Sequence, residues 1–142
     1  MDNLEFKVIE SLEELLTNYQ LIKELLPSSS IATMESSYPT LVTQGVKFFT
    51  LAKDGSVVGL VQYTVTTNLE NTKQIQLNEI VVDRDNQNEG LGKLMLDYLK
   101  ELAVNNDCKV IYLGTNIANG KAQKFYFSNG FKIGAFSMYK TL

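Results

Sequence analysis

A short loop over residues 87–92 has the residue types and spacing of an anion-binding site. It reads Gln87-Asn88-Glu89-Gly90-Leu91-Gly92 and follows a run rich in β-branched and apolar residues, 75–82. After the loop, apolar residues recur at i, i+3, i+4 and i+7, which predicts an amphipathic helix: Leu91, Leu94, Met95, Tyr98, Leu99 and Leu102. A glycine-containing helix N-terminus leaves backbone N–H groups unshielded, and the helix dipole attracts anions to the same place. We therefore expect a phosphate-bearing cofactor there.

Three kinds of phosphate loop can be compared with this one. A Walker loop requires Gly-Lys-Ser/Thr, but Gly92-Lys93 is followed by Leu94, so the hydroxyl that binds Mg²⁺ is missing. A dinucleotide-binding fingerprint requires a third glycine where Met95 stands. The third kind, Gln/Arg-x-x-Gly-x-Gly/Ala, binds the pyrophosphate of acetyl-CoA in acyltransferases. Residues 87–92 match this third pattern.

A second motif follows in the C-terminal part of the chain. Residues 119–131 fit the pattern Asn-x-x-Ala-x-x-Phe-Tyr-x-x-x-Gly-Phe, with Asn119, Ala122, Phe125, Tyr126, Gly130 and Phe131 at its fixed positions. With both motifs in this order, the chain resembles the GNAT superfamily of N-acetyltransferases over residues 74–134. The tail from Thr115 to Leu142 also resembles the aminoalkylphosphonate N-acetyltransferase branch.

The resemblance implies acetyl-CoA as the cofactor and CoA as the product. It implies that the pantetheine arm pairs with backbone groups of the strand that leads into the loop. The implied cofactor-binding residues are Ile80, Val81, Val82, Gln87, Asn88, Glu89, Gly90, Leu91, Gly92, Lys93, Asn116, Asn119, Ala122, Phe125 and Tyr126. Gln87 stands where the family more often has arginine, and Asn88 where it usually has glycine. Lys93 either pairs with a phosphate or is a solvated lysine, and Asn119 can cap a helix, bind the cofactor or do both.

Acetyl transfer to an amine requires a base and an acid. A primary amine with a pKa near 10 is about 99.9% protonated at neutral pH, so freeing its lone pair costs about 4 kcal/mol. Glu79, on the strand before the loop, is the candidate base, and strand alternation groups it with Leu77 and Val81, opposite Asn78 and Ile80. The alternative for Glu79 is a solvated or orienting residue on the strand face.

Tyr126 matches the tyrosine that the family uses as general acid toward the leaving thiolate of CoA. A tyrosine hydroxyl is a suitable donor for that purpose. The alternative is a core aromatic residue, because Phe125, Tyr126 and Phe127 are consecutive. The resemblance also implies that a backbone N–H near Val81 binds the oxyanion.

The acceptor pocket is expected in the irregular segment 27–45 and around the strand that contains Tyr63. Glu35, Tyr38, Tyr63 and Glu79 are the candidate substrate-binding residues, since carboxylates and aromatic rings suit a small cationic amine. Glu35 and Tyr38 can equally be solvated residues of a connecting segment.

Composition excludes several other classes of function. The chain has 142 residues, 44% of them hydrophobic, a net charge of −3, one cysteine and no histidine. The lack of histidine excludes Ser-His-Asp and Cys-His catalysis and histidine metal sites, and we expect no metal. The negative charge disfavours nucleic acid and anionic membranes as partners, and no apolar run is long enough to span a membrane. A single cysteine, Cys108, and no visible signal peptide predict a cytoplasmic protein.

The remaining patterns predict one α/β domain over residues 1–142. The expected order is βααβββαβαβ: a GNAT-like, mixed but mostly antiparallel sheet with helices on both faces. We expect one helix from Ser11 to Leu26, a second over 31–44, a hairpin at Asp54-Gly55, and a terminal strand pair or one bent strand over Phe131–Leu142. The resemblance also allows a homodimer through these C-terminal strands.

Three functions are compatible with these residues. The first is a cytoplasmic enzyme that acetylates a primary amine of a small molecule with Glu79 as base and Tyr126 as acid. The second is a catalytically silent acyl-CoA-binding or regulatory module, which the departures at Gln87 and Asn88 leave open. The third is a protein or peptide N-acetyltransferase, which would require an open groove.

Overall fold

The computed structural model describes residues 2–142 and confirms the α/β class. The helices and strands are, in order, β1 (Leu4–Ile9), α1 (Leu12–Leu16), α2 (Tyr19–Leu25), α3 (Ile31–Thr43), β2 (Val46–Lys53), β3 (Ser56–Thr67), β4 (Lys73–Val82), α4 (Leu91–Asn105), β5 (Cys108–Leu113) and α5 (Gly120–Ser128). The chain forms two compact units that divide between Tyr112 and Leu113. The single functional domain over residues 1–142 stays a prediction.

The predicted first helix is two short helices, α1 and α2. The side chain of Ser11 caps α1 by accepting from the backbone N–H of Glu14 at 3.1 Å, as expected. Thr17 Oγ1 and Asn18 Nδ2 then donate to the backbone carbonyl of Glu14, at 2.7 and 3.0 Å. Side chains that bond nearby carbonyls compete with the helical ladder. This local competition accounts for the break between α1 and α2, which the apolar spacing did not predict.

The sheet has the strand order β1-β2-β3-β4-β5, and the first four strands are paired antiparallel. The predicted hairpin joins β2 to β3, where Asp54 and Gly55 both have positive φ, 50° and 84°. Two consecutive residues of positive φ suit the twist of a tight hairpin.

A β-bulge in β4 changes which face its residues occupy. Tyr63 of β3 pairs with Leu77, but the adjacent Gln62 pairs with Glu79, so Asn78 is an extra residue in β4. Neighbouring residues of β3 face opposite sides of the sheet, and paired residues share a side. Leu77 and Glu79 therefore lie on opposite faces. The predicted grouping of Glu79 with Leu77 is wrong, because the bulge interrupts the alternation on which it relied.

Helices pack on both faces of the sheet, as predicted. On one face, apolar residues of α1, α2 and α3 pack against β1, β2 and β3: Ile9, Leu15, Ile22, Met34, Phe48 and Leu60. On the other face, α4 packs against the sheet, with the ring of Tyr98 stacked on Phe6 at 4.3 Å. Gly59 permits this approach, since a Cβ there would lie 2.6 Å from the sulfur of Met95. None of the helices within residues 2–142 has both the length and the apolar character to cross a membrane.

The second unit contains α5 and a C-terminal segment without strands. Asn119 caps α5, because its Oδ1 accepts from the backbone N–H of Ala122 at 3.0 Å. The terminal strands predicted over Phe131–Leu142 are not formed in the structure, and the side chains of Phe136 and Met138 are exposed. Alternating apolar residues form a strand only where a neighbouring strand supplies the hydrogen bonds. The homodimer expected through these strands stays a prediction.

Candidate active site

The backbone at the start of α4 has the features expected of an anion cradle. Gly90 is the N-cap residue with a φ of 79°, and no side chain caps the helix. The first backbone N–H groups of a helix have no partner within it, so those of Leu91, Gly92 and Lys93 point outward. A Cβ at Gly90 would meet no atom within 4 Å, which leaves the approach to the cradle open. Asn88 also has a positive φ, 65°, a conformation that asparagine tolerates better than most residues. These residues fit the phosphates of acetyl-CoA.

Side chains of the loop hold the cradle against the sheet. Gln87 Nε2 donates to the backbone carbonyl of Val82 at 3.0 Å, which ties the loop to the end of β4. Glu89 forms an ion pair with Lys53 Nζ at 2.9 Å, and this pairing raises the pKa of Lys53. Lys93 Nζ lies 2.7 Å from Asp97 one helical turn later, so its ammonium group already has a carboxylate partner. Gln87 and Glu89 therefore brace the loop against the sheet, and the binding of phosphate by residues 87–93 stays a prediction.

The last three residues of β4 lie between the bulge and the loop. Ile80, Val81 and Val82 pair with Val61, Leu60 and Gly59 of β3, and β5 is the next strand on the other side in the sheet order. Val81 packs against the apolar cluster under α1–α3. The pairing of these residues with a pantetheine arm stays a prediction.

Glu79 is a half-buried carboxylate on the face covered by α1–α3. Burial removes water from the carboxylate and raises the pKa of Glu79 above its ordinary value. It shares this face with Gln62, its partner across the ladder. A partly desolvated carboxylate with a raised pKa has the properties of a general base that works near neutral pH.

A cavity of about 270 Å³ lies between α1, α2, α3 and the sheet, and Glu79 lines it. The expected segment 27–45 contributes to its wall through Ser29, Thr33, Met34, Ser37 and Leu41. Within α3 the last four recur at helical spacing, which is the signal that would have identified them in the sequence.

The three other candidate substrate-binding residues do not line this cavity. Glu35 is exposed, and Tyr38 packs partly buried against the apolar cluster. Tyr63 is buried on the opposite face, 6.1 Å from the ring of Phe49, and this burial raises its pKa. The structure therefore separates Tyr63 from Glu79, although the two lie near each other along the ladder.

The second motif is built around α5 in the second unit. Tyr126 is half-buried, with its ring centroid 5.3 Å from that of Phe125 and 5.7 Å from that of Phe131. Asn116 Oδ1 accepts from the backbone N–H of Ala118 at 2.8 Å, and Asn119 accepts from Ala122. The capping role expected of Asn119 is confirmed. The role of Tyr126 as an acid opposite Glu79 stays a prediction.

Comparison with known proteins is consistent with this geometry. The model of the acetyltransferase (GNAT) family matches residues 10–131. An aminoalkylphosphonate N-acetyltransferase of Salmonella typhimurium is 27% identical over 127 residues, which are 87% of this chain and 82% of the relative.

Two solved structures have the same fold at low identity. An aminoglycoside N-acetyltransferase in complex with CoA superposes with a TM-score of 0.85 at 16% identity, covering 100% of this chain and 96% of that one. A ribosomal-protein-alanine N-acetyltransferase from Brucella melitensis gives a TM-score of 0.83 at 16% identity, with 99% and 100% covered. Since the family model spans most of the sequence, the chain belongs to the acetyltransferase (GNAT) family of acyltransferases.

Proposed function

We propose that the protein transfers an acetyl group from acetyl-CoA to the primary amine of a small molecule. The observation that carries this proposal is the position of Glu79. It lines a cavity and lies just before Ile80–Val82, the residues that lead into the open N-terminus of α4. The name of the Salmonella relative, an N-acetyltransferase of small amines, supports the same acceptor class. The size of the cavity under α1–α3, about 270 Å³, also suits a small molecule.

Acetyl-CoA, when bound, supplies a thioester whose carbonyl carbon is the electrophile. The chain holds it through the backbone N–H groups of Leu91–Lys93, which bind the pyrophosphate, and the backbone of Ile80–Val82, which pairs with the pantetheine arm. By the resemblance, Asn116, Asn119, Ala122 and Phe125 of the second motif would also contact the cofactor. The backbone N–H near Val81 stabilises the oxyanion of the tetrahedral intermediate.

Glu79 accepts the proton that the ammonium group of the acceptor must lose before it can attack. The transfer is direct or runs through one water molecule. The raised pKa of Glu79 makes its carboxylate a stronger base than an exposed glutamate. Tyr126 would donate its phenolic proton to the departing thiolate of CoA, so charge does not build up on sulfur. The nitrogen loses its second proton as the amide forms, and this proton restores the phenol of Tyr126.

Titration calorimetry with acetyl-CoA, desulfo-CoA and ATP tests the cofactor. We expect binding of both CoA compounds and none of ATP, because the loop lacks the Gly-Lys-Ser/Thr of a nucleotide-triphosphate site. If neither acetyl-CoA nor desulfo-CoA binds, the acetyltransferase function is refuted. Release of free thiol in the presence of a primary amine then measures transfer.

The Tyr126→Phe variant tests the acid, with Tyr139→Phe as its matched control on an exposed residue. We expect Tyr126→Phe to lower turnover about 10²-fold or more while acetyl-CoA affinity is retained. Tyr139→Phe should change neither. Unchanged turnover in Tyr126→Phe would remove this residue from the mechanism without affecting the cofactor assignment.

A further inference from the structure

The wall of the cavity under α1–α3 has an unusual charge composition. Glu79 is the only ionisable side chain among the residues that line it, and no lysine or arginine contributes. Most of the wall is apolar, from the residues Leu15, Ile22, Leu25, Leu26, Met34, Leu41, Phe48 and Leu60. A ligand in this cavity therefore meets one carboxylate, several hydrocarbon side chains and a few neutral polar groups.

This composition disfavours an acceptor that carries a phosphonate. A phosphonate buried without a cation loses its hydration and gains no compensating ion pair. The carboxylate of Glu79 would repel it further, because like charges interact strongly where water is excluded. A positively charged amine with an uncharged body, in contrast, pairs with Glu79 and buries its hydrocarbon surface against the wall.

The hydroxyl groups of the wall offer no free partner to a ligand. The hydroxyl oxygen of Ser29 is buried, with almost no accessible surface, although the cavity itself is accessible to water. That oxygen therefore does not face the cavity. The hydroxyls of Thr33 and Ser37 are already bonded nearby: Thr33 Oγ1 donates to the carbonyl of Ser30, and Ser37 Oγ lies 3.4 Å from that of Met34.

The volume limits the size of the acceptor. The cavity has a volume of about 270 Å³, just below the range of about 300–1,000 Å³ that is usual for ligand pockets. This size suits a small amine better than a drug-sized ligand.

We propose that this cavity binds the acceptor and that the acceptor is a primary monoamine with an apolar, uncharged body, rather than an aminoalkylphosphonate. The proposal rests on the proposed acetyltransferase function and specifies its substrate class. It separates this chain from the Salmonella relative, whose name states an aminoalkylphosphonate as substrate.

A panel of three amines tests the substrate class: tyramine, phenethylamine and 2-aminoethylphosphonate, each with acetyl-CoA and a free-thiol readout. We expect kcat/KM to be at least about tenfold higher for tyramine than for the phosphonate, because one buried charge pair or repulsion changes binding by that factor or more. A preference for 2-aminoethylphosphonate would overturn this inference and leave the acetyltransferase function intact. Calorimetry with the same amines, without acetyl-CoA, tests the cavity even if no transfer occurs. Binding of none of them would also overturn the inference.

Two variants connect the preference to the cavity. Glu79→Gln should weaken the binding of tyramine and phenethylamine in calorimetry without acetyl-CoA, whereas Glu35→Gln, at an exposed position outside the wall, should alter neither. Leu26→Arg places a cation at a partly exposed position of the wall, 40% accessible, where an arginine can be solvated. It should raise kcat/KM for the phosphonate relative to tyramine. Unchanged amine binding in Glu79→Gln together with an unchanged ratio in Leu26→Arg would show that the amines bind elsewhere.

Discussion

Replacement of Glu79 by glutamine should lower the activity of the protein and raise its stability at neutral pH. Glutamine has nearly the same shape as glutamate and retains a hydrogen-bonding group, but it cannot accept a proton. Glu79 is half-buried on the cavity face, and desolvation raises its pKa. The substitution therefore removes a base from the proposed reaction and at the same time removes a carboxylate that is costly to bury.

The expected loss of activity is about 10²–10⁴-fold in kcat/KM, the usual contribution of a positioned general base. This loss is comparable to the cost of about 4 kcal/mol for deprotonating an ordinary amine at neutral pH. Activity of the unsubstituted enzyme should decline in acid as Glu79 becomes protonated. Because its pKa is raised, this decline should begin at a higher pH than for an exposed glutamate.

The effect on stability has the opposite sign. A carboxyl group with a higher pKa in the folded state than in the unfolded state binds protons more tightly when folded, so it favours folding in acid. That contribution is present below the unfolded-state pKa and is lost as the pH rises through the folded-state pKa of Glu79. Glu79→Gln does not titrate, so it should match the parent protein in acid and be more stable than the parent at neutral pH.

Urea unfolding at several pH values and steady-state thiol release measure both effects, and Glu35→Gln serves as the control. Glu35 is exposed and does not line the cavity. Its replacement should change neither activity nor the pH dependence of stability. A Glu79→Gln enzyme with parental kcat/KM across the pH range would refute the assignment of Glu79 as the base. A variant less stable than the parent at neutral pH would refute the desolvation argument.

Three further experiments test the residues that position the site. Gly90→Ala places a Cβ on a residue with a φ of 79° and should cost about 1–2 kcal/mol, with weaker acetyl-CoA binding by calorimetry, although no atom obstructs the new methyl group. Leu99→Ala should cost about 2–5 kcal/mol by urea unfolding, because Leu99 lies on the buried face of α4 and is fully buried, while Leu94→Ala, on the exposed side of the same helix, should cost under about 1 kcal/mol. Deletion of Asn78 and deletion of Glu79 both restore a regular ladder, so both proteins should fold with similar stability, but only the Asn78 deletion should still bind tyramine; equal binding by the two would contradict the role of the Glu79 carboxylate in binding the amine.

Local patterns in the sequence were sufficient for most elements of the fold. The apolar spacing of α4, the Asp54-Gly55 turn and the position of the loop before Gly90 are all found as predicted. Local patterns did not predict elements that depend on side chains competing for backbone carbonyls or on a strand distant in the sequence. The break at Asn18 results from side chains that compete for one carbonyl, and the segment after Phe131 lacks the neighbouring strand that its alternation presupposed.

The candidate site shows the same distinction. The backbone form of the loop was predictable, because the glycine spacing indicates where α4 begins and where a positive φ occurs. Suitable chemistry alone does not identify the cavity wall: Glu35 and Tyr38 lie off the face of α3 whose helical spacing lines the cavity, and Tyr63 lies on the other face of the sheet. Which face a strand residue occupies depends on the register with its neighbour. Asn78 changes that register, and no local pattern identifies it as a bulge.

The bulge at Asn78 resolves a conflict within β4. Before it, Ile75 and Leu77 must face α4, where both are buried in the core. In an unbroken strand Glu79 would follow them to that face, into contact with fully buried residues such as Val61, where an unpaired carboxylate would be protonated or destabilising. One extra residue turns Glu79 to the cavity face and lets Ile80 pair with Val61 instead. The bulge at Asn78 thus lets one strand bury Ile75 and Leu77 in the core and still present the carboxylate of Glu79 to the cavity.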